Sequence, residues 1–157
     1  MIKLNAYVTA CSFKEGTTKR NDANAEALQL VILDIDNTAE AQSIIALKDS
    51  IKDQMIGLNY LIHTTISHTE ESPRLRVLVS LTECDLDKRK IATSYVATLL
   101  GLDPKTGYDS CSTVTSQAYF RPVSFPDDTT GSIVSSCTTG VDLDVDEITE
   151  EFIDELD

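Results

Sequence analysis

The 157-residue sequence predicts an α+β fold in which two helices cover one face of an antiparallel sheet, with an extra N-terminal strand before this core and an acidic C-terminal tail after it. Three observations lead there. LQLVILDID (28–36) is an apolar run rich in Val, Ile and Leu, the mark of a central strand buried on both faces. Two stretches, 37–58 and 85–102, carry apolar residues at three- and four-residue steps, the period of amphipathic helices. Between them, NYLIHTTI and RLRVLVSL are joined by SHTEESP, a strand, turn, strand pattern. With QAYFRPV at 117–123, the order from residue 28 is strand, helix, strand, strand, helix, strand, a split βαβ arrangement.

Each element has its own signal. MIKLNAYVTA alternates Ile2, Leu4, Ala6 and Val8 against Lys3, Asn5, Tyr7 and Thr9, a strand pattern rather than the unbroken apolar stretch of a signal peptide. Residues 11–26 are polar, carry Lys14, Gly16, Lys19 and Arg20, and read as a loop presenting a basic cluster. Asn37 stands three positions before Glu40, an N-cap with a capping-box partner. The helix it starts places Ile44, Leu47, Ile51, Met55 and Leu58 on one face and stops at Gly57. Residues 59–66 and 74–81 are the strands of a hairpin, the second alternating Leu75, Val77, Val79 and Leu81 against Arg76, Leu78 and Ser80. Asp85 or Asp87 caps a second helix whose Ile91, Ala92, Tyr95, Val96, Leu99 and Leu102 share a face and which ends at Gly101. A polar connection with Pro104, Gly107 and Asp109 leads to the last strand, closed by Pro126. This order belongs to ferredoxin-like and RRM-like folds, whose second sheet face stays open. Residues 1–126 are therefore expected as one domain, 127–140 as a linker and 141–157 as an acidic tail.

The formal charge of −13 is unevenly spread. The tail takes nine of the 26 acids and no base, which leaves 17 acids against 13 Lys and Arg, a net −4, in the body. A body so close to neutral does not exclude a nucleic-acid partner. The tail itself reads as too charged to pack as core: either a disordered end, or a short amphipathic helix with Ile148, Phe152 and Leu156 as its stripe. Cys11, Cys84, Cys111 and Cys137 show no CxxC pairing, so they are expected as reduced thiols without zinc. No apolar run approaches the roughly 20 residues of a membrane span, and a soluble cytoplasmic protein without a membrane partner is expected.

Asp34 and Asp36, at i and i+2, project together from the end of strand 28–36. Two carboxylates so placed repel unless a cation sits between them, which is how a Mg²⁺ or Mn²⁺ site begins. Such an ion needs further oxygen ligands, and Asp109, in YDSC ahead of the last strand, is best placed to add one. Arg74 and Arg76 suit bidentate phosphate contact and lie across a hairpin from His68, which can donate to the same phosphates. Taken singly, these residues have ordinary readings: DIDN is turn and cap chemistry, and a lone histidine in a hairpin is a surface residue. Their joint presence on segments that a split βαβ fold brings to one edge is what favours a site.

That combination resembles the archaeo-eukaryotic primase (primase-polymerase) superfamily, in the small versions carried by phages and plasmids. The family's first motif, an apolar strand ending in Asp-x-Asp, is matched by Asp34 and Asp36. Its second, a histidine in a small-residue hairpin ahead of an Arg-x-Arg-apolar strand, is matched by His68 with Ser67, Arg74 and Arg76. Its third, an acid after the second helix followed by an aromatic strand running to Pro, is matched by Asp109 in GYDSC. The resemblance covers residues 2–126; the chain departs from it at Ile66, where the family has a small residue, and at Gln117, where it has an arginine whose contact falls to Arg121.

The resemblance implies a metal-dependent nucleotidyltransferase, a DNA primase and DNA-directed polymerase core that joins NTPs or dNTPs on a single-stranded DNA template. Implied catalytic residues are Asp34, Asp36, His68 and Asp109, with Asp34, Asp36 and Asp109 holding two Mg²⁺ or Mn²⁺ ions. His68, Arg74 and Arg76, helped by Ser67 and Arg121, would bind the triphosphate. The implied partners are the template, nucleoside triphosphates and a replicative helicase or other replication protein reached through the acidic tail. Two rival readings stand beside it: a primase-fold replication-initiation or accessory module with weak or no catalysis, and a ferredoxin-like interaction domain whose acids are structural.

Overall fold

The computed structural model describes residues 7–120 and 133–156. Its centre is β3 (Ala25–Ile35), the longest strand. Around it an antiparallel five-stranded sheet runs in the order β2 (Cys11–Phe13), β3, β5 (Leu75–Cys84), β4 (Tyr60–Thr64), β7 (Ile133–Cys137). A separate antiparallel pair joins β1 (Tyr7–Thr9) to β6 (Ala118–Phe120). Among the described residues four α-helices, α1 (Thr38–Ala46), α2 (Ile51–Gln54), α3 (Arg89–Leu99) and α4 (Glu150–Glu155), complete an α+β fold.

The apolar run in β3 is explained by burial on both faces: Val31, Ile32, Leu33 and Ile35 are all at most 2% exposed. Pairing sets Val31 opposite Val79 and Leu33 opposite Val77, and these residues share one core with Ala41 and Ile44 of α1 and Ala92 and Val96 of α3. The alternate positions point the other way. There Ile32 faces Leu78, Asp34 faces Arg76, and Arg76 in turn faces His63 of β4. A row of three ionisable side chains thus crosses three strands on one sheet face.

The hairpin, the Asn37 cap and the body of α3 stand where the sequence places them; the Asn37 side chain accepts from the N–H groups of Ala39 and Glu40 at 2.9 and 3.3 Å, whereas neither Asp85 nor Asp87 caps α3, because a 3-10 turn, Leu86–Lys88, precedes it and puts Lys88 at the cap position. Other expectations are corrected. The first helix is broken into α1 and α2, because the Lys48-Asp49-Ser50 stretch turns: the Ser50 hydroxyl donates to the Leu47 carbonyl at 3.2 Å, taking a bond the helix would need. Ile51 and Met55 nevertheless stay fully buried. Within the polar loop 11–26, Cys11–Phe13 forms β2 and takes the place beside β3. In a split βαβ sheet that place belongs to the last strand, which here pairs with β1 instead. The buried side of α3 is Arg89, Ala92, Thr93, Ser94, Val96 and Ala97, which keeps Ala92 and Val96 of the expected stripe and leaves Ile91, Tyr95 and Leu99 half-buried at its margin, Tyr95 packing edge-on against Phe152 of α4 at 5.3 Å.

The largest correction concerns the C-terminal third of the expected layout. Residues 133–137 of the expected linker are strand β7, paired with β4. The acidic segment is not a free tail: Leu143, Val145, Ile148 and Leu156 are core residues, each at most 7% exposed. Leu143 docks on β5 beyond the end of β4, donating to the Ser80 carbonyl at 2.9 Å and accepting from the Thr82 N–H at 3.0 Å. The acids alternate outward, so their charge meets water while the apolar residues between them are buried.

Among the described residues no helix is long and apolar enough to cross a membrane. The four cysteines are free thiols.

Candidate functional site

The end of β3 delivers Asp34 and Asp36 to one edge, and each meets an arginine. Asp34 Oδ2 accepts from Arg76 Nη2 at 2.9 Å, a pair whose side chains are only 15% and 12% exposed. Asp36 and Arg74 pair at 3.3 Å near the surface, with 43% and 38% exposure. The Arg76 guanidinium also lies 4.8 Å from the centre of the Tyr119 ring, so strand β6 caps the inner pair. Asp34 Oδ1 is buried and accepts no hydrogen bond among the described residues.

Asp109 is held at the same edge by its backbone, whose N–H donates to the Asp34 carbonyl at 2.7 Å. Its side chain caps the 3-10 turn 110–113, accepting from the Cys111 N–H at 2.8 Å, and that bond holds the carboxyl below the usual range and keeps it ionised. Asp36, Asn37, Tyr108 and Asp109 line one small cleft of about 170 Å³. Burial, together with the carboxylates of Asp109 and Asp34, pushes the Cys111 thiol up to about 12, so it stays protonated and is no nucleophile.

His68 closes the β4–β5 hairpin: its Nδ1 accepts from the Arg74 N–H at 3.1 Å. In the neutral ring this leaves the proton on Nε2, available for a donor role. Ser67 is exposed in the same turn. The hairpin reaches the first turn of α1 through Ser72 and Thr38, whose hydroxyls are 3.4 Å apart. Asp34, Asp36, Asp109, His68, Arg74 and Arg76 are therefore gathered at one edge of the sheet, while Arg121 lies outside the described residues.

Sequence reasoning missed four residues that build this edge. His63 sits beside Arg76 in the cross-strand row, 2% exposed, with Nδ1 2.7 Å from the Thr64 carbonyl; burial pushes its pKa down, so it is neutral. Buried Arg89 donates through Nε and Nη2 to the Ser112 carbonyl at 3.2 and 2.6 Å. The Ser112 hydroxyl accepts from the Asp34 N–H at 2.9 Å, which ties α3 to the end of β3. Tyr119 donates to the Cys111 carbonyl at 2.9 Å and is held un-ionised by burial. The available signal was Arg89 itself, a cation in phase with Ala92, Thr93 and Val96.

The donor set of Asp36, Asp109 and the orphan Asp34 Oδ1 is one of hard oxygens, as Mg²⁺ and Mn²⁺ require. Among the described residues, however, no three His, Cys, Asp or Glu side chains converge on one metal position. A Mg²⁺ ion completed by substrate phosphates needs only one or two carboxylates, and the cleft between Asp36 and Asp109 offers two. Compared with known proteins, the chain matches no family model, no curated protein and no solved structure.

Proposed function

We propose that this protein is a metal-dependent nucleotidyltransferase, a primase-polymerase core that extends a DNA or RNA strand on a single-stranded template. The supporting observation is the 2.7 Å bond from the Asp109 N–H to the Asp34 carbonyl, which sets two carboxylates, Asp36 and Asp109, on one cleft beside an arginine pair. The RRM-like reading of the fold belongs to the same proposal and draws on the β3, β5, β4 order of the inner sheet.

Asp36 and Asp109 would hold Mg²⁺ or Mn²⁺, with Asp34 behind them in its pair with Arg76 rather than as a third ligand; the ion when bound would favour ionisation of an attacking hydroxyl and offset triphosphate charge. The rest falls to this chain. Arg74, half-exposed and weakly paired, can leave Asp36 for a phosphate oxygen at little cost. His68 Nε2–H donates to the same group, and Arg76 holds the Asp34 carboxylate in place at 2.9 Å. Incorporation of labelled NTPs and dNTPs on single-stranded DNA with Mn²⁺, with and without primer, tests the proposal. Asp36→Ala and Asp109→Ala should each lower the rate at least about a hundredfold, the scale of losing a preorganised electrostatic contact. Incorporation by either variant at the wild-type rate would overturn it.

A second reading, a nucleic-acid-binding module with little catalysis, is favoured by the closed Asp34–Arg76 pair and by the absence of a three-ligand cluster among the described residues. Single-strand binding without Mn²⁺-dependent incorporation would select it.

A further inference from the structure

We propose that a second cavity, beside the start of α3, binds a phosphate-bearing small molecule of nucleotide size, at a place separate from the acid edge and independent of the activity proposed above. The cavity has a volume of about 530 Å³, within the range of small-molecule sites. Its wall carries three cations, Arg89, Lys90 and Lys105, against one acid, Asp87, on a chain of net charge −13.

Arg89 is the residue that needs an anion. It is 5% exposed and forms no ion pair among the described residues. Nε and Nη2 converge on one neutral carbonyl, that of Ser112, and Nη1 has no acceptor. A buried cation whose hydrogen-bond partners are neutral keeps most of its desolvation cost, and an oxyanion in the adjoining cavity supplies the opposite charge. Exposed Lys90 and Lys105 stand at the rim, where they can close on a phosphate. Leu86, Pro104 and Tyr108 give the cavity an apolar wall for the remainder of the ligand, and the Tyr108 hydroxyl is anchored on the Pro104 carbonyl at 2.9 Å. Tyr108 also lines the Asp36–Asp109 cleft, so loop 104–109 separates the two cavities.

Calorimetric titration of the full chain in EDTA with AMP, inorganic phosphate and adenosine tests the proposal, with amide NMR shifts to place the ligand. AMP should bind one per chain and more tightly than inorganic phosphate, adenosine should not bind, and shifts should fall on residues 86–90 and 104–115. The Lys90→Ala/Lys105→Ala double variant, altered only at exposed side chains, should weaken AMP by at least about tenfold. Arg89→Lys should weaken it as well, whereas Arg74→Ala, at the acid edge, should leave it unchanged. No binding of AMP up to about 10 mM, undiminished binding by the double variant, or shifts confined to the Asp34–Arg76 edge would each overturn the proposal. Loss of incorporation with AMP binding retained would leave this cavity standing and remove only the acid-edge activity.

Discussion

The two ion pairs at the end of β3 have the same chemistry and different burial, so they should differ in energy by an amount that can be measured. Asp34 and Arg76 touch at 2.9 Å with side chains 15% and 12% exposed. Unit charges about 4 Å apart attract by about 4 kcal/mol at an effective dielectric of about 20. Partial loss of hydration takes back about half of this, leaving a coupling of about 2 kcal/mol. Asp36 and Arg74, at 3.3 Å with 43% and 38% exposure, should couple by no more than about 0.5 kcal/mol. Urea unfolding of Asp34→Asn, Arg76→Met and the double variant gives the inner coupling, with Met chosen to keep an apolar contact on Tyr119; Asp36→Asn, Arg74→Met and their double variant give the outer one. Arg76→Met alone should cost about 3 kcal/mol, because it strands a carboxylate whose Oδ1 already has no partner among the described residues. Equal couplings in the two cycles, or an inner coupling below about 0.5 kcal/mol, would refute the reasoning.

Four further outcomes follow from the geometry. Burial lowers the His63 pKa from its ordinary 6.5, so the unfolded chain takes up this proton first and stability is lost as pH falls below about 6.5; His63→Gln should flatten that part of a urea-midpoint profile between about pH 7 and 5. The Asp109 carboxyl is held below the usual range, so its capping contribution is present above about pH 4 and fades as pH falls through the lowered value; at pH 7 Asp109→Ala should cost about 1 kcal/mol and Asp109→Asn less, by thermal unfolding. A Cβ on Gly140 would come within 2.2 Å of the Gly57 carbonyl oxygen, so Gly140→Ala should cost about 2 to 3 kcal/mol, and an unchanged urea midpoint would mean that the C-terminal segment is not docked there. Ile56 is 60% exposed at φ 43, and Ile56→Asn should raise stability by about 0.5 to 1 kcal/mol in the same assay.

How much was legible depended on whether the signal was local. The apolar run of β3, the alternation of β5 and the Asn37 cap are each dictated by a few adjacent residues, and each lies where the sequence put it. Strand β2 was hidden because three residues paired at a sheet edge carry almost no pattern of their own. The acidic segment was misjudged for another reason. Its composition suggested disorder, whereas the alternation of buried Leu143 and Val145 with Asp142, Asp144 and Asp146 is that of an extended chain with one buried face. Charge count and charge position gave opposite answers, and position prevailed because an outward carboxylate loses little hydration while each buried aliphatic side chain gains about 1.5 to 3 kcal/mol.

That docking changes what the acids can do. Lys88, just ahead of α3, is paired with Asp146, and Asn59 donates to Asp142 at 3.1 Å, so part of the segment's polar surface is tied to the body. With Leu143, Val145 and Ile148 in the core, residues 141–148 are not free to swing over a nucleic-acid surface as a competitor. Their charges act instead as a fixed field, largely screened beyond about 8 to 10 Å at physiological salt. Removing 141–157 should therefore unfold or loosen the domain before it alters any salt dependence of single-strand binding, because the deletion strips buried side chains from the core as well as acids from the surface. Glu147→Gln with Glu150→Gln and Glu151→Gln, all at exposed positions, separates the two effects by lowering the charge while keeping the packing. If the acids screen nucleic acid only as a distant field, this triple variant should bind single-stranded DNA less than about threefold tighter at 0.15 M salt, as filter binding would measure; a larger gain would return the segment to the role of competitor.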